Sequence, residues 1–163
     1  GHMLNVVYQR KTSQRNIIMA IVSTYLSING DCEKAFAFYK SVFEKEFKYI
    51  GRYKDVPEAA RQYFPNCEDD HIMHIGLPIS EETMLMGADI IDVGRKEKNA
   101  YKFFALYVST ESKEEADRLF NSLSKDGEIK LPISDQFWGS YYGICIDKFG
   151  INWKISFSSD DGK

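Results

Sequence analysis

The side chains able to do chemistry in this chain are few and scattered. Of the three histidines, His2 lies in Gly1-His2-Met3, which reads as a tag remnant left by cloning, and is set aside. His71, His74 and Asp89 are of the residue types that bind metals. However, His71 and His74 are three apart on an expected strand, and a regular strand directs them to opposite faces. The simpler role for His74 is a hydrogen-bonded structural imidazole. No G-x-S-x-G nucleophile elbow occurs, and no two carboxylates share a strand or helix at a spacing suited to joint acid–base work. Glu33, Glu44, Glu46, Glu114 and Glu115 read as solvated helix-surface charges. The 11 glycines form no G-x-G-x-G loop after a strand, so no nucleotide-like cofactor, and no cofactor of any kind, is expected. Cys32, Cys67 and Cys145 are an odd number at wide spacing, which fits small buried hydrophobes in a reducing, cytoplasmic setting better than a disulfide framework.

Composition narrows the class. The chain has 163 residues, 44% of them hydrophobic, with 11 Phe, 10 Tyr and 2 Trp. That is enough for a core of ordinary domain size without disulfides or metal. The net charge of −3 gives no positive field to attract nucleic acid or an anionic membrane. Residues 3–18 carry Lys and Arg but no long apolar run, so they read as neither signal peptide nor membrane span. Residues 1–20 are expected to be tag and a poorly ordered extension, and 159–163 a tail.

The elements that must position any site follow from periodicity. Residues 21–29 alternate as a half-buried strand, with Leu26 and Ile28 opposite Tyr25 and Ser27. Gly30-Asp31 breaks the run, and Asp31 is a plausible N-cap for a helix to about Lys45. Its stripe is Ala35, Phe38, Tyr39 and Val42, widened by Phe36 and Phe43. A strand is expected over 47–53, a long loop over 54–70 with a helical turn at 57–61, and a hairpin of 71–78 and 83–88 joined across 80–82. A loop of this length is often a lid or binding loop. Residues 93–100 read as a linker. The pattern then repeats. A strand runs over 103–109, Ser112 to Glu115 has capping-box spacing, and Ala116, Leu119, Phe120 and Leu123 form the second helical stripe. Further strands are expected near 130–133, 142–147 and 152–157. A shift of 81 residues lays one stripe on the other. The expected fold is therefore α+β: two βαβββ modules, 21–92 and 101–158, whose sheets curve into a cup with the helices on the outer face.

These segments resemble a known family. Gly30-Asp31-Cys-Glu-Lys-Ala35-Phe-Ala-Phe38-Tyr39-Lys-Ser-Val42-Phe43 is similar to the opening of vicinal-oxygen-chelate proteins, the glyoxalase, bleomycin-resistance and dioxygenase superfamily. Asp147-Lys-Phe149-Gly150-Ile-Asn-Trp153 is similar to their close. Met73-His74, Leu85-Met86-Gly87-Ala88-Asp89 and Phe137-Trp138-Gly139-Ser-Tyr-Tyr-Gly143 point to the PhnB-like branch. The resemblance covers about residues 21–157. It implies paired βαβββ modules, usually assembled as homodimers, in a superfamily that holds both enzymes and sequestering proteins. Fold alone does not choose among these functions.

The metal-dependent members take His, Glu or Gln ligands from four strands. The resemblance places those positions at Ser23 or Thr24, at Met86 or Gly87, at Phe103 and at Lys154. Such a set does not hold a divalent cation, and Lys154 repels one. No metal of the family type is expected. Alternation instead sends Tyr25, Ser27, Phe103, Ala105 and Tyr107 toward the cup, with Tyr141 and Lys154 as the matching positions on later strands and His74 as a further candidate. An aromatic pocket with few polar groups suits a planar or amphipathic organic ligand, with Lys154 able to pair an acidic group. Three readings stay open: a metal-free small-molecule binding or sequestering protein, an enzyme with a non-standard site, and an interaction protein whose cup is filled by its own rings.

Overall fold

A computed structural model describes residues 20–92 and 104–159. The expected N-terminal extension, the linker over 93–100 and Phe103 lie outside the described residues. The first half forms β1 (Thr24–Asn29), α1 (Cys32–Phe43), β2 (Tyr49–Arg52), a 3₁₀ turn (Tyr53–Asp55), the single-turn α2 (Glu58–Arg61), β3 (Ile72–Pro78) and β4 (Met84–Ile90). The second half forms β5 (Leu106–Ser109), α3 (Lys113–Ser124), β6 (Glu128–Asp135), β7 (Tyr141–Ile146) and β8 (Asn152–Phe157). The sheets have the same topology, β1-β4-β3-β2 and β5-β8-β7-β6. In each, the first strand runs parallel to the last and the other pairs are antiparallel. The 81-residue shift carries α1 onto α3 end to end.

Both helices bury the stripe that their spacing predicts. Ala35, Tyr39 and Val42 are buried on α1, and Ala116, Leu119, Phe120 and Leu123 on α3. Phe36, expected only to widen the first stripe, is fully buried, whereas Phe38 is half-buried. The helix starts differ. Ser112 accepts a hydrogen bond from the Glu115 amide at 3.1 Å, as the capping-box spacing predicts. Asp31 makes no side-chain cap. Its role falls to Asp89, a buried carboxylate at the end of β4 that accepts from the Cys32 amide at 2.9 Å and the Ile72 amide at 2.7 Å. Removing the Ser112 hydroxyl should therefore cost about 1 kcal/mol of stability, the usual worth of an N-cap. Asp31→Ala should cost nothing comparable, and paired urea denaturation curves check both.

The two halves share one hydrophobic core on their helix sides. Tyr39 of α1 donates to Asp147 Oδ2 at 2.7 Å and packs on Trp153 of β8 at 5.6 Å between ring centroids. Phe43 also meets the Trp153 ring, and Arg118 of α3 donates to the Val42 carbonyl at 2.9 Å. With the helix sides joined, each sheet presents its opposite face outward. The long 53–71 connection does not hang free as a lid. Tyr53 donates to the Asp89 carbonyl, Arg52 forms a paired contact with Glu33, and Arg61 binds Asp69 and the Cys67 carbonyl.

Candidate functional site

Strand register decides which side chains share an open face. In the first sheet Tyr25 lies beside Met86, Met86 beside Gly76, and Gly76 beside Tyr49. Ser27 follows Tyr25 on the same face, and Leu26 and Ile28 turn inward. His74 joins from β3. Its ring stacks against Tyr49, with centroids 4.6 Å apart and planes 17° apart, and against Tyr25 at 5.8 Å and 18°. The Tyr25 hydroxyl lies 3.4 Å from His74 Nδ1, a long contact. The Tyr49 ring lies over Gly76, where an added Cβ would come within 2.5 Å of it, so glycine is what lets the ring lie flat on the sheet. Tyr25 remains 48% exposed, and partial burial, followed by Cys32 and Tyr49, raises its phenol pKa above the ordinary value.

The second sheet has a matching face. Tyr107 of β5 lies beside Lys154 of β8, and Lys154 beside Ile144 of β7. One step along lie Ser109, Ser156 and Tyr142. Tyr107 and Tyr142 rings are 6.5 Å apart, and Trp138 leans edge-on against Tyr142 at 5.6 Å. The turn that carries Trp138 is tied down where the Ser140 and Ser156 hydroxyls meet at 2.9 Å. Tyr107 and Trp138 are both more than half exposed.

Tyr141 does not belong to this face, contrary to the sequence reading. Its hydroxyl donates to Asp117 of α3, and Lys113 sits 5.0 Å above its ring. Gly143 and Cys145 face the helix, so the odd positions of β7 point inward and Tyr142 takes the outward place. The hydrogen bond to Asp117, with burial adding to it, pushes the Tyr141 phenol up to about 12. A folded pKa above the unfolded one gives stability that is complete below the ordinary tyrosine value and lost as pH rises through about 12. Ultraviolet titration should show Tyr141→Phe deleting one late-titrating tyrosinate while ligand binding is unchanged.

Of the other residues singled out, His71 accepts from the Glu68 amide at 2.8 Å in the turn before β3, and both Asp89 oxygens are occupied on the helix side. His71, His74 and Asp89 are therefore not brought together. A cavity of about 270 Å³ opens at the seam between the halves, lined by Ser23, Thr24, Phe43, Thr83, Tyr107 and Trp153 among others. Of the positions that the sequence points to, Tyr107 and Ala105 from the expected cup, and Ser23 and Thr24 from the expected metal position, lie in its wall. Tyr49 and Tyr142 are open-face aromatic residues that alternation alone does not select as candidates.

A family model described as 3-demethylubiquinone-9 3-methyltransferase matches residues 20–156. The chain belongs to this family. Its PhnB-like character also shows in a curated relative, protein YjdN of Escherichia coli strain K12, 30% identical over 141 residues, covering 83% of this chain and 93% of YjdN. A PhnB protein from Bacillus cereus has the same fold at TM-score 0.68 and 25% identity, covering 85% of this chain and all of that one. A glyoxalase/bleomycin resistance/dioxygenase domain from Frankia sp. EAN1pec matches at TM-score 0.61 and 13% identity, over 89% and 96% of the two chains, and shows the shared fold. This PhnB-like chain thus has the expected α+β architecture of two four-stranded sheets, each with a helix on one face.

The described residues at the superfamily's metal positions do not fit a divalent cation. Thr24 pairs in register with the buried Leu85, whereas Tyr25, not Thr24, shares the open face with Met86. Gly87 faces the helix, against the Phe36 ring. The open face thus offers a thioether at β4 and an ammonium at β8 where oxygen or imidazole donors are needed. Among the described residues no three His, Cys, Asp or Glu side chains cluster as a metal site.

Proposed function

We propose that this PhnB-like chain binds or sequesters a planar or amphipathic organic molecule without a metal. The observation that carries this reading is the Tyr25–His74–Tyr49 stack, three near-parallel rings on an open sheet face with Tyr25 half exposed. Aromatic surface of this kind, left uncovered by the chain's own core, is the usual lining of an organic-ligand site. The exposure of Tyr25 and Tyr107 weighs against open faces filled by the chain's own side chains. A second copy of the chain is the proposed partner, because exposed Phe137 and Trp138 lie beside the second open face and a homodimer would cover them. Sedimentation should then give twice the chain mass. Three free cysteines suit a cytoplasmic location, and among the described residues no helix is long and apolar enough to cross a membrane.

Elemental analysis of chelator-free protein, with melting curves in nickel, zinc, manganese and iron, tests the metal-free half. We expect no stoichiometric metal and no dose-dependent rise in melting temperature. One bound equivalent, or a rise of the size that mass action gives a tight ligand, about 2.7 kcal/mol at a hundredfold excess over Kd, would sink it. A second reading, acid–base catalysis, draws on the Tyr25 hydroxyl at 3.4 Å from His74 Nδ1. Turnover abolished alike by Tyr25→Phe and His74→Gln would move the chain to that reading.

A further inference from the structure

Lys154 stands in the middle of the second open face, between Tyr107 and Ile144, with Trp153 and Ile155 on either side of it pointing into the core. Its side chain is half-buried, and among the described residues it forms no ion pair. Among the described residues register brings one carboxylate to this face, Glu128 on the outer strand β6, and Lys130 holds it at 2.9 Å. Lys113 is answered by Asp135 and Lys148 by the Phe38 ring, whereas Lys125, which like Lys154 makes no ion pair among the described residues, is exposed at the end of α3 rather than on this face. An ammonium on an apolar strand face, with no ion-pair partner among the described residues, gains a charge-assisted hydrogen bond from a ligand oxyanion. The neighbouring surface suits the rest of such a ligand, with Tyr107 and Tyr142 offering ring faces and Ser109 a hydroxyl.

We propose that Lys154 anchors the anionic group of a small organic acid, a carboxylate or similar oxyanion, whose apolar body lies against Tyr107 and Tyr142. The proposal rests on the small-molecule reading above and extends it from the Tyr25–His74–Tyr49 face to the face of the second sheet, with a stated ligand class. The ammonium supplies, without a metal, the positive charge that would fix an oxygen-bearing ligand on this face.

Fluorescence titration with anionic 1-anilinonaphthalene-8-sulfonate and neutral N-phenyl-1-naphthylamine tests it. Wild-type protein should favour the sulfonate, and added salt should weaken that probe alone. Lys154→Met should weaken the sulfonate about tenfold, the order of one charge-assisted hydrogen bond, and leave the neutral probe unchanged. Lys154→Arg, which keeps the charge, should retain the preference, and circular dichroism shows that both variants fold. If both probes bind wild type and Lys154→Met alike, the anchor is wrong and the binding reading survives. If neither probe binds, both fall. If Lys154→Met changes the oligomeric mass and not sulfonate affinity, the ammonium serves a subunit contact and the proposal is overturned.

Discussion

Asp147→Ala should destabilise the protein by about 3–5 kcal/mol, the range for stripping the shared acceptor from a buried polar network. Asp147 is 3% exposed, and each of its oxygens accepts two hydrogen bonds. Oδ1 takes the Phe149 and Ile151 amides at 2.8 and 3.0 Å, closing the turn between β7 and β8. Oδ2 takes the Tyr39 hydroxyl at 2.7 Å and Trp153 Nε1 at 2.8 Å, tying α1 of the first half to β8 of the second. Alanine leaves all four donors without this acceptor. Burial, then the Asp147 charge, raise the Tyr39 phenol pKa above its ordinary value, so in the native protein Tyr39 serves as a neutral donor to Asp147. Asp147→Asn should be milder, about 1–3 kcal/mol. Its oxygen can still close the turn, and its amide can donate to Tyr39 if that hydroxyl rotates, but Trp153 has only a donor to offer. Because the network joins both halves, Tyr39→Phe and Asp147→Ala should be non-additive in a double-mutant cycle. Urea denaturation of the four proteins decides. A loss under about 0.5 kcal/mol for Asp147→Ala, the size of an ordinary surface substitution, would mean that this carboxylate does not hold the halves together.

The places where sequence reading succeeded and failed share a cause. The α1 and α3 stripes were legible because a 3.6-residue period repeated over twelve residues allows one phase only. The outward positions of β1 were legible because Tyr25 and Ser27 alternate with Leu26 and Ile28. β7 reads Tyr-Tyr-Gly-Ile-Cys-Ile, with no polar alternation, and phase there comes from the Phe120 ring against Gly143 rather than from the strand's own pattern. Hence the strand's own sequence points to Tyr141 where Tyr142 faces out. Asp31 was the natural local cap, but the working carboxylate is Asp89, 57 residues from Cys32. Local rules cannot see such a partner. The same limit hid the aromatic stack: Tyr49 and His74 meet only because β2 pairs with β3, and Gly76 makes room for the ring.

Gly87→Ala should cost about 1–3 kcal/mol, the usual penalty for overpacking. A Cβ there would lie 2.6 Å from the Phe36 ring and 3.0 Å from the Leu26 carbonyl oxygen. The ring can shift, but the carbonyl belongs to the paired strand β1 and cannot. Phe36→Leu alone should also destabilise, by removing part of a fully buried side chain. Combined with Gly87→Ala it should cost less than the sum, since the smaller side chain vacates the space the methyl needs. The comparison bears on function as well as packing. The resemblance places the superfamily's ligand position on this strand at Met86 or Gly87, and a donor introduced at position 87 would enter the core beneath α1. Thus Gly87→Glu should fail to fold or melt far below wild type, whereas Met86→Glu, on the open face beside Tyr25, should fold with near-native stability. Melting curves of the two glutamate variants give the answer. Equal tolerance would mean that β4 is a residue out of phase, and the open face described here would have to be redrawn.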